Sequence, residues 1–130
     1  MYLAELKGKL PSDARNSEDI LTSNVFSFLK YSKRTVFLRS LMDRLNIKVS
    51  DEDLNEAEFI FWPTFEDGTE PDVVLIIGKY YILFEAKYYS NFGKETTTAT
   101  DQLIREEKEG RKEAGKLGKK FILVAITADY

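Results

Sequence analysis

Asp72, Glu85 and Lys87 lie in the most apolar part of the chain, EPDVVLIIGKYYILFEAKYY at residues 70–89. Both residue parities of each run there are mostly Val, Leu, Ile, Tyr or Phe, so the charges fall where a core should be. Two acids brought together in such surroundings need a cation, a neighbouring base or protonation of one of them. A divalent ion answers this efficiently. Mg²⁺ takes oxygen ligands, commonly uses one or two protein carboxylates, and fills its other positions with water and phosphate oxygens. The carbonyl of Ala86 could add a third oxygen to Asp72 and Glu85. Composition closes the competing chemistries: with neither histidine nor cysteine, Ser-His triads, His-ligated zinc, His general bases, thiolate sites and disulfides are all excluded.

The hairpin that would position these groups is legible. DVVLII and YYILFEAKYY are separated only by Gly78 and Lys79, and a two-residue loop with Gly first favours a tight hairpin turn. Ile77 then faces Tyr80, and counting outward sets Asp72 opposite Glu85. Directly opposed side chains share a face, their Cβ atoms about 4.5 to 5.5 Å apart. Lys87 shares that face because strand side chains alternate. A plainer alternative pairs Lys87 with Glu70 as a cross-strand ion pair and lets Asp72, after Pro71, cap a turn. It leaves the facing of Asp72 and Glu85 unexplained.

The remaining elements follow from periodicity and punctuation. At 130 residues and 43% hydrophobic content, the chain is expected to form a single domain over residues 1–130, or the N-terminal part of a longer chain. A helical region is expected from about Ser17 to Leu45, with Leu21, Val25 and Leu29 at helical spacing, Asn16 or Ser17 as N-cap, and a break at KYSKR, residues 30–34. AEFIFWPTFE at 57–66 reads as a strand that Pro63 places at an edge or bulge. After SNFGKETTTAT, a helix from about Asp101 to Ala114 leads to FILVAIT, an apolar run suited to a strand covered on both faces. Strands joined through a helix should be parallel, with a right-handed connection. The fold class is therefore α/β: a mixed central sheet of about four strands flanked by helices, in the order α-β-β-β-α-β.

With these elements in place, Pro71-Asp72, the spacing to Glu85 and the Glu85-Ala86-Lys87 tripeptide together resemble the PD-(D/E)XK nuclease superfamily, whose core is restriction endonuclease-like. The resemblance spans about residues 17–128. It implies Mg²⁺-dependent hydrolysis of phosphodiester bonds, usually in DNA, with Mn²⁺ able to substitute and RNA left open as a substrate. Asp72 and Glu85 would hold the metal, and Lys87 would orient the attacking water. Many members add an acid near the start of the first helix, a position that Glu18 matches; there it would join the metal ligands, although a first-turn acid also suits the helix dipole. Some members carry a glutamine on the helix after the lysine strand, which Gln102 matches as support for the metal shell or a phosphate. In the subgroup with the fullest pattern a tyrosine follows four residues later. Here Glu106 stands in that place, so Gln102 also reads as an ordinary surface amide. Ser90, Asn91, Gly93, Lys94 and the threonines could touch a phosphate backbone or form a solvent loop.

A catalytically silent relative that binds nucleic acid or a protein partner is the alternative, and a small α/β interaction domain is another. The formal net charge of -3 argues mildly against nucleic acid, because phosphate contact is driven by Lys and Arg. Basic residues do cluster at Lys30, Lys33 and Arg34, and from Arg105 to Lys120, the second group reading as a solvated helix face balanced by glutamates. No signal peptide or membrane span is legible, and a cytoplasmic protein is expected. The apolar C-terminal strand, if left at a sheet edge, invites a homodimer or further domains.

Overall fold

The computed structural model describes residues 14–89 and 96–129, with side chains described for residues 23–85 and 101–126. Among the described residues three helices come first, α1 (Ala14–Tyr31), α2 (Phe37–Arg44) and α3 (Asp51–Glu56). They are followed by β1 (Glu58–Phe61), β2 (Val73–Ile77), β3 (Tyr80–Tyr89), α4 (Thr96–Lys116) and β4 (Lys120–Asp129). The hydrogen-bonded order of strands is β1-β2-β3-β4. β3 and β4 are parallel, with Tyr81 beside Phe121 and Glu85 beside Ala125. The short β2–β3 link makes that pair antiparallel, so the sheet is mixed. The α/β class expected from the sequence is the one observed.

The β2–β3 link rests on Gly78, whose φ of 55° lies in the left-handed region. A Cβ at this position would also come within 2.9 Å of the Asp53 carboxylate. Conformation and space therefore both demand glycine. At the other end of β1, Trp62 takes a φ of 49° and Pro63 follows without an N–H, so the strand stops at Phe61 rather than continuing to residue 66.

By compactness the chain divides into two units: one reaches to Phe59 and includes Ile76–Gly78, the other holds Ile60–Leu75 and the residues from Lys79 onward. In the first unit Phe26, Leu29, Leu38, Met42, Ile47 and Leu54 are buried, and α1 contacts α2. The expected break falls between Tyr31 and Phe37. Arg34 in this break is structural: its Nη1 donates to the carbonyls of Leu54, Asn55 and Ala57 at 3.2, 3.0 and 2.9 Å, and its Nε donates to Lys30 at 3.0 Å. One guanidinium thus serves carbonyls that two helix ends leave open.

Two expectations for α1 change. Its first residue is Ala14, so Asn16 and Ser17 lie within the helix rather than capping it. Of the expected row, Leu29 is buried together with Phe26, while Val25 is 45% exposed. Helix α3 is an addition the pattern did not disclose. Ser50 Oγ accepts from the Asp53 N–H at 3.0 Å and Asp53 Oδ2 accepts from the Ser50 N–H at 3.1 Å. This is a capping box with Asp in the place usually held by Glu or Gln.

In the second unit Val73, Val74, Leu75, Ile82, Leu83 and Phe84 are buried, and α4 packs on β3 and β4. Gly110 allows the close approach: a Cβ there would fall 2.4 Å from Phe121 Cε1 and 3.2 Å from Leu83 Cδ1. Helix α4 begins at Thr96, so the threonines expected in a loop form its first turn, while Ser90, Asn91, Gly93 and Lys94 lie outside the described residues. β4 differs from expectation as well. It is the edge strand in the observed order, and Phe121, Ile122, Leu123 and Val124 are half-buried instead of covered on both faces. Among the described residues, no helix is long and apolar enough to cross a membrane.

Candidate active site

The second unit brings three of the singled-out residues together. Asp72 immediately precedes β2, Glu85 lies in the middle of β3, and Gln102 lies in the second turn of α4. The Asp72 N–H donates to Glu85 Oε1 at 3.2 Å, and Gln102 Nε2 donates to Glu85 Oε2 at 2.9 Å. Asp72 and Glu85 are thus joined through the main chain of one and the carboxylate of the other. The Asp72 carbonyl in turn accepts from the Trp62 N–H at 2.9 Å, so the left-handed turn that ends β1 also fixes the backbone of Asp72. A non-glycine residue in that region carries roughly 1 to 3 kcal/mol of strain, held in place here by a bond to the candidate site.

Glu85 is 2% exposed. An acid buried to that degree needs hydrogen bonds to its oxygens, and the Asp72 amide and the Gln102 side chain supply one to each. Gln102 is therefore no ordinary surface amide. Its Nε2 also donates to Glu106 Oε2 at 3.2 Å, and Glu106 is fully buried at 0% exposure. In the sequence Glu106 stands only as a departure from a tyrosine pattern. The available signal was its spacing: four residues after Gln102, it lies on the same helix face.

The other expected residues stand differently. Lys87 lies on β3 two residues beyond Glu85, and Ala86 lies between them; the side chains of both are outside the described set. Glu18 lies on α1 in the first unit, its side chain likewise outside that set. Glu70, the alternative partner of Lys87, is exposed and accepts from Thr64 Oγ1 at 3.5 Å.

Among the described residues, no group of three or more acidic side chains is placed to hold a metal ion. The groups that do converge are the Asp72 N–H and the Gln102 NH₂, both on the Glu85 carboxylate. Carboxylate oxygen is the donor type that Mg²⁺ and Mn²⁺ take.

Beside these residues in sequence, Asp67, Gly68, Thr69 and Arg105 line a shallow polar cleft. The Asp67 carboxyl is held below its usual range, chiefly by hydrogen bonding to Thr69, whose N–H donates to Oδ1 at 2.8 Å, with a smaller pull from the Arg105 charge. Tyr81 on β3 shows the opposite effect of burial, which with a lesser contribution from Glu113 pushes its phenol up to about 12. Compared with protein-family models, curated proteins and solved structures, the chain matches none.

Proposed function

We propose that this chain is a metal-dependent endonuclease of the PD-(D/E)XK kind, acting in the cytoplasm on phosphodiester bonds of DNA. What supports the reading most is a single arrangement: Asp72, Glu85 and Gln102, distant in sequence, are linked by hydrogen bonds at 3.2 and 2.9 Å to one buried carboxylate. In this reading Asp72, Glu85 and the Ala86 carbonyl hold Mg²⁺. The bound ion would polarise the phosphate and lower the pKa of its water. Lys87 orients the attacking water and offsets negative charge as it builds on the phosphate. Gln102 and the Asp72 main chain keep Glu85 in place, and Trp62 fixes the Asp72 backbone. Glu18 contributes nothing to this support. The half-buried edge strand β4 is where a second copy or a further chain would add on, an association that sedimentation of the purified protein would reveal.

A second reading has one observation in its favour: Glu85 is nearly inaccessible and both its oxygens already accept internal bonds. That suits a silent relative that keeps the fold and binds nucleic acid or a protein.

Plasmid and single-stranded DNA incubated with the protein in Mg²⁺, Mn²⁺ or EDTA separate the two. Metal-dependent cutting that is lost in Asp72→Ala and in Lys87→Ala is the expected result. No cutting, together with no metal response, would sink the nuclease reading. Trp62 is the only tryptophan in the chain and is bonded to Asp72, so its emission during a Mg²⁺ titration reports on the site independently of cleavage.

A further inference from the structure

We propose that Glu106 is a positioning residue of this site, holding the Gln102 amide with its nitrogen turned toward Glu85. The inference rests on the reading of Glu85 as a metal carboxylate. Glutamine presents two ends of nearly equal shape, an NH₂ with two donors and a carbonyl that only accepts. Shape therefore does little to choose between them, and hydrogen-bond partners must. The amide nitrogen of Gln102 lies 2.9 Å from Glu85 Oε2 and 3.2 Å from Glu106 Oε2. Each carboxylate takes one of its two hydrogens, and only one orientation of the amide satisfies both. The flipped amide would set its oxygen against two carboxylate oxygens.

The cost of Glu106 points the same way. It is 0% exposed, on the helix that packs on β3 and β4, where an apolar residue of similar size would fill the space without the desolvation penalty of an acid. Glu109, three residues on, is also buried, but its Oε1 lies 3.5 Å from Lys112 Nζ. At Glu106 the acid meets an amide that reaches the candidate metal carboxylate. Groups that orient a metal ligand from behind commonly change metal affinity by about 10- to 100-fold when altered.

The test uses the full chain with Mg²⁺ as the probe, followed by calorimetry. Glu106→Gln, which can offer its own NH₂ to the Gln102 oxygen and so release the amide, is expected to raise the half-saturating Mg²⁺ concentration about 10-fold. Gln102→Ala should do the same. The double variant should be no worse than Gln102→Ala alone, because Glu106 acts only through Gln102. Multiplicative losses in the double variant, or an unchanged Mg²⁺ response in Glu106→Gln, would overturn the proposal. Should Glu106→Gln fail to fold, Glu106→Leu keeps the volume and removes the acceptor.

A metal-free measurement separates this inference from the reading beneath it. The Gln102 side-chain NH₂ signals, assigned by their loss in Gln102→Ala, should be shifted and slow to exchange in the wild type and revert toward those of a solvated amide in Glu106→Gln. If these signals do not move while Asp72→Ala abolishes Mg²⁺ binding, the positioning role fails and the metal site stands. If the wild type binds no Mg²⁺ at all, the metal-site reading falls and takes the positioning role with it.

Discussion

Helix α4 meets two groups of glutamates that the protein treats in opposite ways. Toward its C-terminal end, exposed Lys112 and Lys116 surround exposed Glu66: Lys112 Nζ lies 3.4 Å from its Oε1, Lys116 bonds its Oε2, and Lys116 also pairs with Glu113 at 3.1 Å. Near its middle, Glu106 is buried, as is Glu85 on β3, and the Gln102 amide nitrogen bonds both acids. The first group meets opposite charge in water, where screening leaves each pair worth little. The second concentrates carboxylate oxygens where the dielectric is low and any interaction with a cation is correspondingly stronger. Buried acids are costly to keep for packing alone, which makes the second cluster the better candidate for function.

The sharpest way to break this contrast is to remove one acid from each. Asp72→Ala should lower metal-dependent DNA cleavage at least about 100-fold, the scale seen when a group that stabilises developing charge is lost. Glu66→Gln should leave the rate unchanged. Equal rates in wild type and Asp72→Ala would remove the basis for assigning chemistry to the buried cluster.

That Asp72 and Glu85 lie close together was legible because strand pairing is local arithmetic from the Gly78-Lys79 loop, although the observed link runs from the Asp72 N–H to the Glu85 carboxylate. Gln102 was placed by resemblance alone. Glu106 was passed over because an acid in a charged helix reads as surface, and burial depends on which face α4 turns toward β3. The β4 run misled for a related reason. Continuous hydrophobicity indicates burial but does not say how fully each face is covered, and here residues 121–124 are only half-buried. Trp62 carries no sequence signal for a left-handed backbone, since the residue before a proline favours extended conformations. The Ser50 cap was missed because Asp53 answers it with a side chain one methylene shorter than the usual Glu.

Packing along the same helix provides the next test. Gly110→Ala puts a Cβ 2.4 Å from a Phe121 ring carbon, and overpacking of this kind costs about 1 to 3 kcal/mol. Gly115→Ala meets nothing within 4 Å and gains helix propensity, so it should stabilise by about 0.4 to 1 kcal/mol. Chemical denaturation of the pair gives opposite signs if α4 sits on β3 and β4 as described. Two changes of the same sign would mean that its register along the sheet is different.

A smaller effect concerns Tyr81, whose phenol is shifted from 10.0 to about 12. The folded chain keeps this proton where the unfolded chain has released it. The contribution to stability is therefore complete below pH 10 and lost as the pH rises from there toward 12. The difference in phenolate absorbance between the wild type and Tyr81→Phe should show a group titrating near 12. A difference curve centred on 10 would mean that the ring is not held in the β3 interior.

The smallest effect belongs to the exposed cluster, and it has a distinct pH signature. The Glu66 carboxyl is lowered, chiefly by its hydrogen bond to Lys116 and then by Lys112. The Lys112 amine is raised, first by the Glu109 charge, and the Lys116 amine first by its hydrogen bond to Glu66. A lowered acid stabilises above its unfolded pKa and loses that contribution as the pH falls through the folded value; raised lysines stabilise below their unfolded pKa and lose theirs as the pH rises through the folded ones. Between those limits Glu66→Gln should lower the melting temperature slightly at low ionic strength and not at all in concentrated salt, because Glu66, Lys112 and Lys116 are all exposed. A loss that survives high salt would place Glu66 in packing rather than in charge, and the division of α4 into a screened end and a shielded middle would no longer hold.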